Sequence, residues 1–222
     1  MVPFPPVRAA RGFTFVEVIV TVAVAAILLG VAAPSFRELV VGQRRDAVVR
    51  ALAGDLRFAR SESIKRASRI GLCARAAGAA EACGTNWSEG WLVWSDDGDA
   101  PGAIDAASGE RTLRARDAIP AGLALANRAR TVNGVQEPTE FRAIRFGPRG
   151  TSSWRGGGTF RLCVRDGGTG GGAGDGAGDG AAAAVNVSLS GDVRRAREDG
   201  SGAPIDAFGM PVTCARAEAA DS

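Results

Sequence analysis

The chain contains no histidine and no tyrosine. Without histidine it cannot assemble a Ser-His-Asp or Cys-His nucleophilic site, or a histidine-ligated zinc. Its four cysteines, Cys73, Cys83, Cys163 and Cys214, include no CxxC pair, so a thiolate zinc site lacks its usual spacing as well. Glycine is plentiful, yet no GxGxxG is complete and no GK[ST] is present, which excludes the dinucleotide and P-loop fingerprints. Strong net charge is also missing. The formal charge is +3, and without Arg8 and Arg11 in the first twelve residues it falls to +1. Bulk charge therefore gives no ground for nucleic-acid binding, which would have to rest on a local cluster. No catalytic residue, metal or cofactor is expected.

What the chain does have is one long apolar run. Residues 13–33 carry polar side chains only at Thr14, Glu17 and Thr21. About 20 apolar residues span a bilayer core as a helix, so the run is long enough to cross. A cleaved secretory signal has a shorter apolar core with its small-residue cut site after it; here the basic, glycine-containing part comes first. An acid inside a span costs about 2.5–3.5 kcal/mol on insertion scales, which makes Glu17 a candidate functional residue in need of a partner. Pro34 closes the run. It is expected to kink the helix without ending it, because helical periodicity resumes at once.

Beyond Pro34, Val41, Val48, Leu52, Leu56 and Ala59 recur on one helical face, with Arg45, Arg50, Arg57 and Arg60 opposite as a solvated face. A helix from Phe13 to about Arg66 would be about 80 Å long. Its second half is amphipathic and needs a globular partner. The rest reads as short strands between turns: 69–74, 90–95, 112–119, 123–126, 140–146, 159–165 and 185–190. Trp87, Trp91, Trp94 and Trp154 are expected to pack in the core. Asp96, Asp97 and Asp99 lack EF-hand spacing and read as a turn. Residues 167–180, GGTGGGAGDGAGDG, cannot bury apolar area and read as a flexible loop. An even cysteine count in an exported domain implies two disulfides, and four thiols allow three pairings. The pairing expected is Cys73 with Cys83, which is local, and Cys163 with Cys214, which ties the last residues to an internal strand.

Arg11-Gly12-Phe13-Thr14-Phe15-Val16-Glu17 resembles the class III signal of type IV prepilins and type II secretion pseudopilins. The resemblance implies a peptidase cut between Gly12 and Phe13 and methylation of the new N-terminus. Glu17 then becomes the fifth mature residue and Pro34 the twenty-second; Phe15 stands where leucine is commoner. It also gives Glu17 a partner, the Phe13 ammonium of its own chain or of a neighbouring subunit. The helix end at 56–66, LRFARSESIKR, followed by Cys73, Cys83, Trp87, Gly90-Trp91, Gly147-Pro148-Arg149-Gly150 and Phe160-Arg161-Leu162-Cys163, is similar to the GspH/FimT family of minor pilins and pseudopilins.

The fold so implied is α+β and type IV pilin-like, a long N-terminal transmembrane and amphipathic helix packed on an antiparallel β-sheet domain. The expected organisation is a cleaved leader, 1–12, a transmembrane half-helix, 13–33, an amphipathic half-helix, 34–66, and a periplasmic β-rich domain, 67–222. The implied role is a structural subunit of a type IV pilus that helps initiate or modulate assembly, with a type II secretion pseudopilus as the alternative. The implied partners are prepilin peptidase, other major and minor pilins or pseudopilins, the bacterial inner membrane, and indirectly the assembly platform and ATPase. DNA is an alternative partner. One branch of the family binds DNA through Gly-Arg-x-Arg after a late strand, and here Arg194, Arg195 and Arg197 stand at that place. Asp192 replaces the first arginine, and Glu198 and Asp199 follow.

Overall fold

The structure is a computed structural model that describes residues 14–79, 81–97, 104–129, 143–164, 182–212 and 214. The leader, Phe13, Asp99 and the glycine-rich loop lie outside the described residues. The chain divides into two units, Met1–Gln43 and Arg44–Ser222. One helix, α1, covers Phe15–Arg66 and runs through both; its backbone is continuous through Pro34.

In the first unit α1 starts at a side-chain cap. Thr14 Oγ1 accepts the Glu17 amide at 3.3 Å, and the Val18 amide closes the first turn on the Thr14 carbonyl at 3.2 Å. Threonine three residues before glutamate is the usual signature of such a start. Every described side chain from 15 to 29 is exposed, Phe15 at 80% and Leu29 at 70% among them, so the apolar surface runs all round the helix. Among the described residues no helix is long and apolar enough to cross a membrane.

In the second unit α1 turns amphipathic. Val48, Val49, Leu52, Ala53, Leu56 and Ala59 are buried, whereas Val41, read from the sequence as part of this face, is 37% exposed. The helix ends in a Schellman motif. The Ser68 amide returns to the Ser63 carbonyl and the Ala67 amide to the Ile64 carbonyl, with Ala67 at φ 50° in a place that usually takes glycine.

The strands are β1, Ile70–Ala74; β2, Trp91–Ser95; β3, Thr112–Arg116; β4, Leu123–Ala129; β5, Ala143–Phe146; β6, Gly158–Val164; β7, Ala183–Val187; and β8, Val193–Arg195. Among the described residues they form two antiparallel four-stranded sheets, ordered β3-β2-β1-β5 and β4-β6-β7-β8. β4 runs three residues further than the sequence suggested, and 188–190 belong to a turn instead of β7. A short 3-10 helix, Trp87–Glu89, precedes β2.

Both sheets and the helix share one core. Phe160, Leu162, Val185 and Val187 face it from the second sheet, while Arg161 between them points out, the alternation of a half-buried strand. Trp87 and Trp154 flank Phe160 with ring centroids 4.8 and 5.1 Å away. β2 is buried on both faces, which is why its sequence, WLVWS, does not alternate. Trp91 and Val93 join the main core, and Leu92 and Trp94 pack with Cys73 and Ala143 in a second cluster. Ser152 ties the sheets together: its amide donates to the Leu189 carbonyl at 2.9 Å and its hydroxyl to the Ser188 carbonyl at 3.0 Å, beside a bridge to Phe146.

Candidate functional site

The residues singled out in the sequence fall in three places. The first is the start of α1. Gly12 and Phe13 lie outside the described residues; Glu17 stands exposed in the first turn of the helix and is its sole acid there. A carboxylate in that turn faces the helix's free amides and its positive dipole end.

The second is the β7–β8 hairpin with its arginines. Val193 is buried and pairs with Val187, so β8 is part of the second sheet. The arginines themselves are exposed but largely engaged. Arg194 is ion-paired with Asp192. Arg195 Nη2 donates to Asp46 Oδ1 of α1 at 2.9 Å. An open groove of about 530 Å³ runs beside the hairpin, with Arg155, Ser188, Leu189, Asp192 and Arg194 among its lining residues.

The same hairpin shows what two of the helix arginines do. Arg57 donates through Nε and Nη2 to the Val193 carbonyl at 3.3 and 3.0 Å. Arg60 donates to the Gly150 carbonyl at 3.2 Å and to the Ser190 carbonyl at 3.0 Å. These side chains cap free carbonyls at the edge of the second sheet and at two turns. Arg57 remains exposed and Arg60 is half-buried, yet both are tied to backbone acceptors, because a carbonyl without a ladder partner takes a side-chain donor.

The third place was not singled out. Asp55 lies in the C-terminal half of α1 and is fully buried. Its carboxylate accepts from Trp91 Nε1 at 3.0 Å, Arg114 Nη1 at 2.9 Å and Arg116 Nε at 2.8 Å. Burial pushes the Asp55 carboxyl up, but the bonds from Arg116, Arg114 and Trp91 outweigh it and hold it below its usual range. Arg114 also stacks over Phe58, 3.5 Å from the ring centroid. A signal was present in the sequence: Asp55 falls three after Leu52 and four before Ala59, on the apolar stripe itself.

Asp96, which the sequence places at the start of a turn, is likewise buried. Burial raises its carboxyl above the usual range although Arg145 and Arg69 oppose it; Arg145 Nη1 lies 3.4 Å from Oδ2. Among the described residues no group of acids, cysteines or histidines is placed to hold a metal. The cysteines form two disulfides, Cys73–Cys83 and Cys163–Cys214.

Residues 48–191 match the family described as Type II transport protein GspH. The chain belongs to the GspH family. Residues 7–33 match the prokaryotic N-terminal methylation motif, so this is a pilin or pseudopilin family member that carries a prepilin-type N-terminus. Among solved structures, it is similar to the type IV minor pilin FimU of Pseudomonas aeruginosa, at 19% identity and TM-score 0.48, over 73% of this chain and 93% of that one. It is also similar to the minor pseudopilin EpsH from the Type 2 Secretion System of Vibrio cholerae, at 10% identity and TM-score 0.42, over 68% and 95%. No curated protein matches the chain. The family is a membrane-anchored one whose members associate with other pilins or pseudopilins.

Proposed function

We propose that this chain is a minor subunit of a type IV pilus. It is made as a prepilin and held in the bacterial inner membrane by a single pass at 13–33, with its C-terminal domain periplasmic. Prepilin peptidase cuts between Gly12 and Phe13, and Phe13 is N-methylated. The subunit then enters the filament with other pilins and helps initiate or modulate its assembly. It performs no catalysis of its own; the work comes from the assembly ATPase acting through the platform.

One observation carries this reading. The methylation motif leads into a helix whose described apolar surface is exposed on every side and interrupted in its first turn by one carboxylate, Glu17. A lone acid in such a stretch is costly unless a cation meets it. Cleavage supplies one, an α-amino group with a reference pKa of about 7.7–8.0, about one helical turn away. Pairing with the ammonium of a neighbouring subunit favours correct stagger over random association.

The test uses the full chain expressed with a prepilin peptidase. The N-terminal peptide should begin at Phe13 and carry one added methyl group; an N-terminus anywhere else removes the reading. Glu17→Leu should be cut normally yet be depleted from sheared filaments. Equal incorporation of the variant would show that Glu17 has no assembly role.

A second reading is a type II secretion pseudopilus subunit, favoured by the description of the matching family. Rescue of secretion, but not of piliation, in strains lacking their own minor subunit would select it.

A further inference from the structure

The groove of about 530 Å³ beside the β7–β8 hairpin lies between two turns. One is 154–157, closed by the Gly157 amide on the Trp154 carbonyl at 2.9 Å and rooted in the core by the fully buried Trp154. The other is 188–192. Its Gly191 amide donates to the Ser188 carbonyl at 2.9 Å, and its Ser188 amide to the Asp192 carbonyl at 3.0 Å. Ser188 Oγ also accepts the Asp192 amide at 3.1 Å and meets Ser190 Oγ at 2.8 Å, while Arg60 holds the Ser190 carbonyl. Asn186, which lines the groove too, is fixed at both ends of its amide. Its Nδ2 donates to the Ile205 carbonyl and its Oδ1 accepts from Thr159 Oγ1, each at 2.9 Å. The groove is therefore shaped before any ligand arrives, which lowers the cost of binding.

Glycine keeps one side of it open. Gly157 sits at φ 77°, and a Cβ there would lie 3.1 Å from the Val187 carbonyl oxygen and 3.9 Å from the Ala207 Cβ, atoms of two other lining residues. The charges are unequal. Arg155 is exposed on the groove and has no hydrogen bond or ion pair among the described residues. Arg194 faces Asp192 through Nε alone, and its two Nη groups have no partner among the described residues. Two guanidiniums thus meet one carboxylate, and the fork of Arg155 is open to a second. A polyphosphate backbone needs several such cations, but one carboxylate needs only one.

We propose that this groove takes an acidic side chain carried on an extended segment of a neighbouring filament protein. Arg155 meets the carboxylate in the planar two-bond geometry that guanidinium allows. The Nη groups of Arg194 add donors while its Nε stays with Asp192. The hydroxyls of Ser188 and Ser190 and the bare backbone at Gly156 are left for the main chain on either side. That the ligand belongs to a filament protein rests on the function proposed above; the carboxylate site itself does not.

The experiment titrates a fluorescein-labelled decapeptide of alternating Gly and Glu with the full chain in detergent at low salt, read by anisotropy. The same peptide with Gln for Glu and a labelled uronic-acid oligosaccharide are the comparison ligands. The Glu peptide should bind saturably, the Gln peptide should not, and the oligosaccharide should bind more weakly. Arg155→Ala should weaken the Glu peptide about tenfold, the loss expected for a hydrogen-bonded charge. Arg155 is exposed, so this variant keeps the fold. Asp192→Asn removes the competing carboxylate and should tighten binding. Arg44→Ala/Arg50→Ala, which removes two exposed arginines of α1 outside the groove, should change nothing. The proposal is overturned if the Glu peptide does not bind saturably or if the Gln peptide binds as well. It is equally overturned if the α1 pair weakens binding as much as Arg155→Ala, which would mean diffuse charge, or if the oligosaccharide binds more tightly, which would mean a glycan site. None of these outcomes touches the cut at Gly12 or the incorporation of Glu17→Leu, so the groove and the filament reading fail separately.

Discussion

Asp55 Oδ2 accepts a 2.8 Å hydrogen bond from Arg116 Nε, joining the C-terminal half of α1 to β3 at the edge of the first sheet. The two groups have unequal surroundings. The carboxylate is fully buried, and the Arg116 side chain is 48% exposed. An ionised acid in that place would be prohibitively costly alone. Arg114, Arg116 and Trp91 together meet both of its oxygens, so the helix can seat only where all three donors converge.

The pair is therefore costly to break from either side. Asp55→Ala should destabilise the domain by about 3 kcal/mol, near the lower end for a broken buried pair because both arginines can still reach water. Arg116→Ala leaves the carboxylate buried with Arg114 and Trp91 and should cost about as much. Arg114→Ala and Arg116→Ala together should cost more than their sum, since the last guanidinium is then gone. Denaturant midpoints of the four proteins check this; additive effects would show that Asp55 does not depend on its donors jointly.

Asp55 and Asp96 should give opposite pH signatures. Asp55 is held below the usual carboxyl range, so its contribution is present above the unfolded pKa of about 3.9 and is lost as pH falls through the folded value. Asp96 is raised by burial, so its contribution is present at low pH and is lost as pH rises through its folded value. Asp55→Asn should lower stability at pH 7 and flatten the acid side of the profile. Asp96→Asn should leave stability at pH 7 unchanged or higher and flatten the region just above the usual carboxyl pKa. Urea unfolding from pH 3 to pH 8 measures both, and profiles that moved in the same direction would contradict the assignment.

Much of this was legible from residue pattern. The end of α1 at Arg66 follows where its apolar stripe stops, and β6 and β7 follow from alternation at Phe160, Leu162, Val185 and Val187. What escaped were polar residues whose partners are distant in sequence. Arg57 and Arg60 look like a wet face because their acceptors are carbonyls 90 to 136 residues away, and a carbonyl carries no signature in sequence. Asp55 was hidden for the same reason, although its place on the stripe marked it as an acid needing donors. β8 is only three residues long, with a single buried side chain, Val193, and two arginines; it is a strand because Val185 and Val187 pair with it.

The two turns capped by Arg60 give a sharper test. Gly191 sits at φ 77°, and a Cβ there would lie 1.8 Å from the Gly150 carbonyl oxygen and 3.1 Å from Arg60 Nε. The nearest atom is backbone and cannot step aside, so Gly191→Ala must part the turns and loosen the Arg60 bonds. A loss of about 2–4 kcal/mol is expected from strain and the lost bonds together. Gly54, on the exposed side of α1, has nothing within 4 Å of the same added atom. Gly54→Ala should instead raise stability by about 0.4–1 kcal/mol, through helix propensity and a less free unfolded chain. Thermal midpoints of the two variants should therefore move in opposite directions.

The arginines of the hairpin set the last prediction. Phosphate binding needs guanidiniums that are free to release counterions, and its affinity falls steeply with salt. Arg194 already faces Asp192, and Arg195 faces Asp46 across from α1. A phosphate would have to displace a carboxylate at each, on a chain whose charge without its leader is only +1. Duplex DNA titrated against the full chain in detergent should therefore show no saturable binding at low salt, and Arg194→Ala, Arg195→Ala and Arg197→Ala combined should change nothing. Asp46→Ala and Asp192→Ala remove the competing carboxylates without adding a cation, and together they should increase any residual DNA contact. Saturable, salt-sensitive binding by the native chain that disappears in the triple arginine variant would instead establish the hairpin as a DNA-contacting surface.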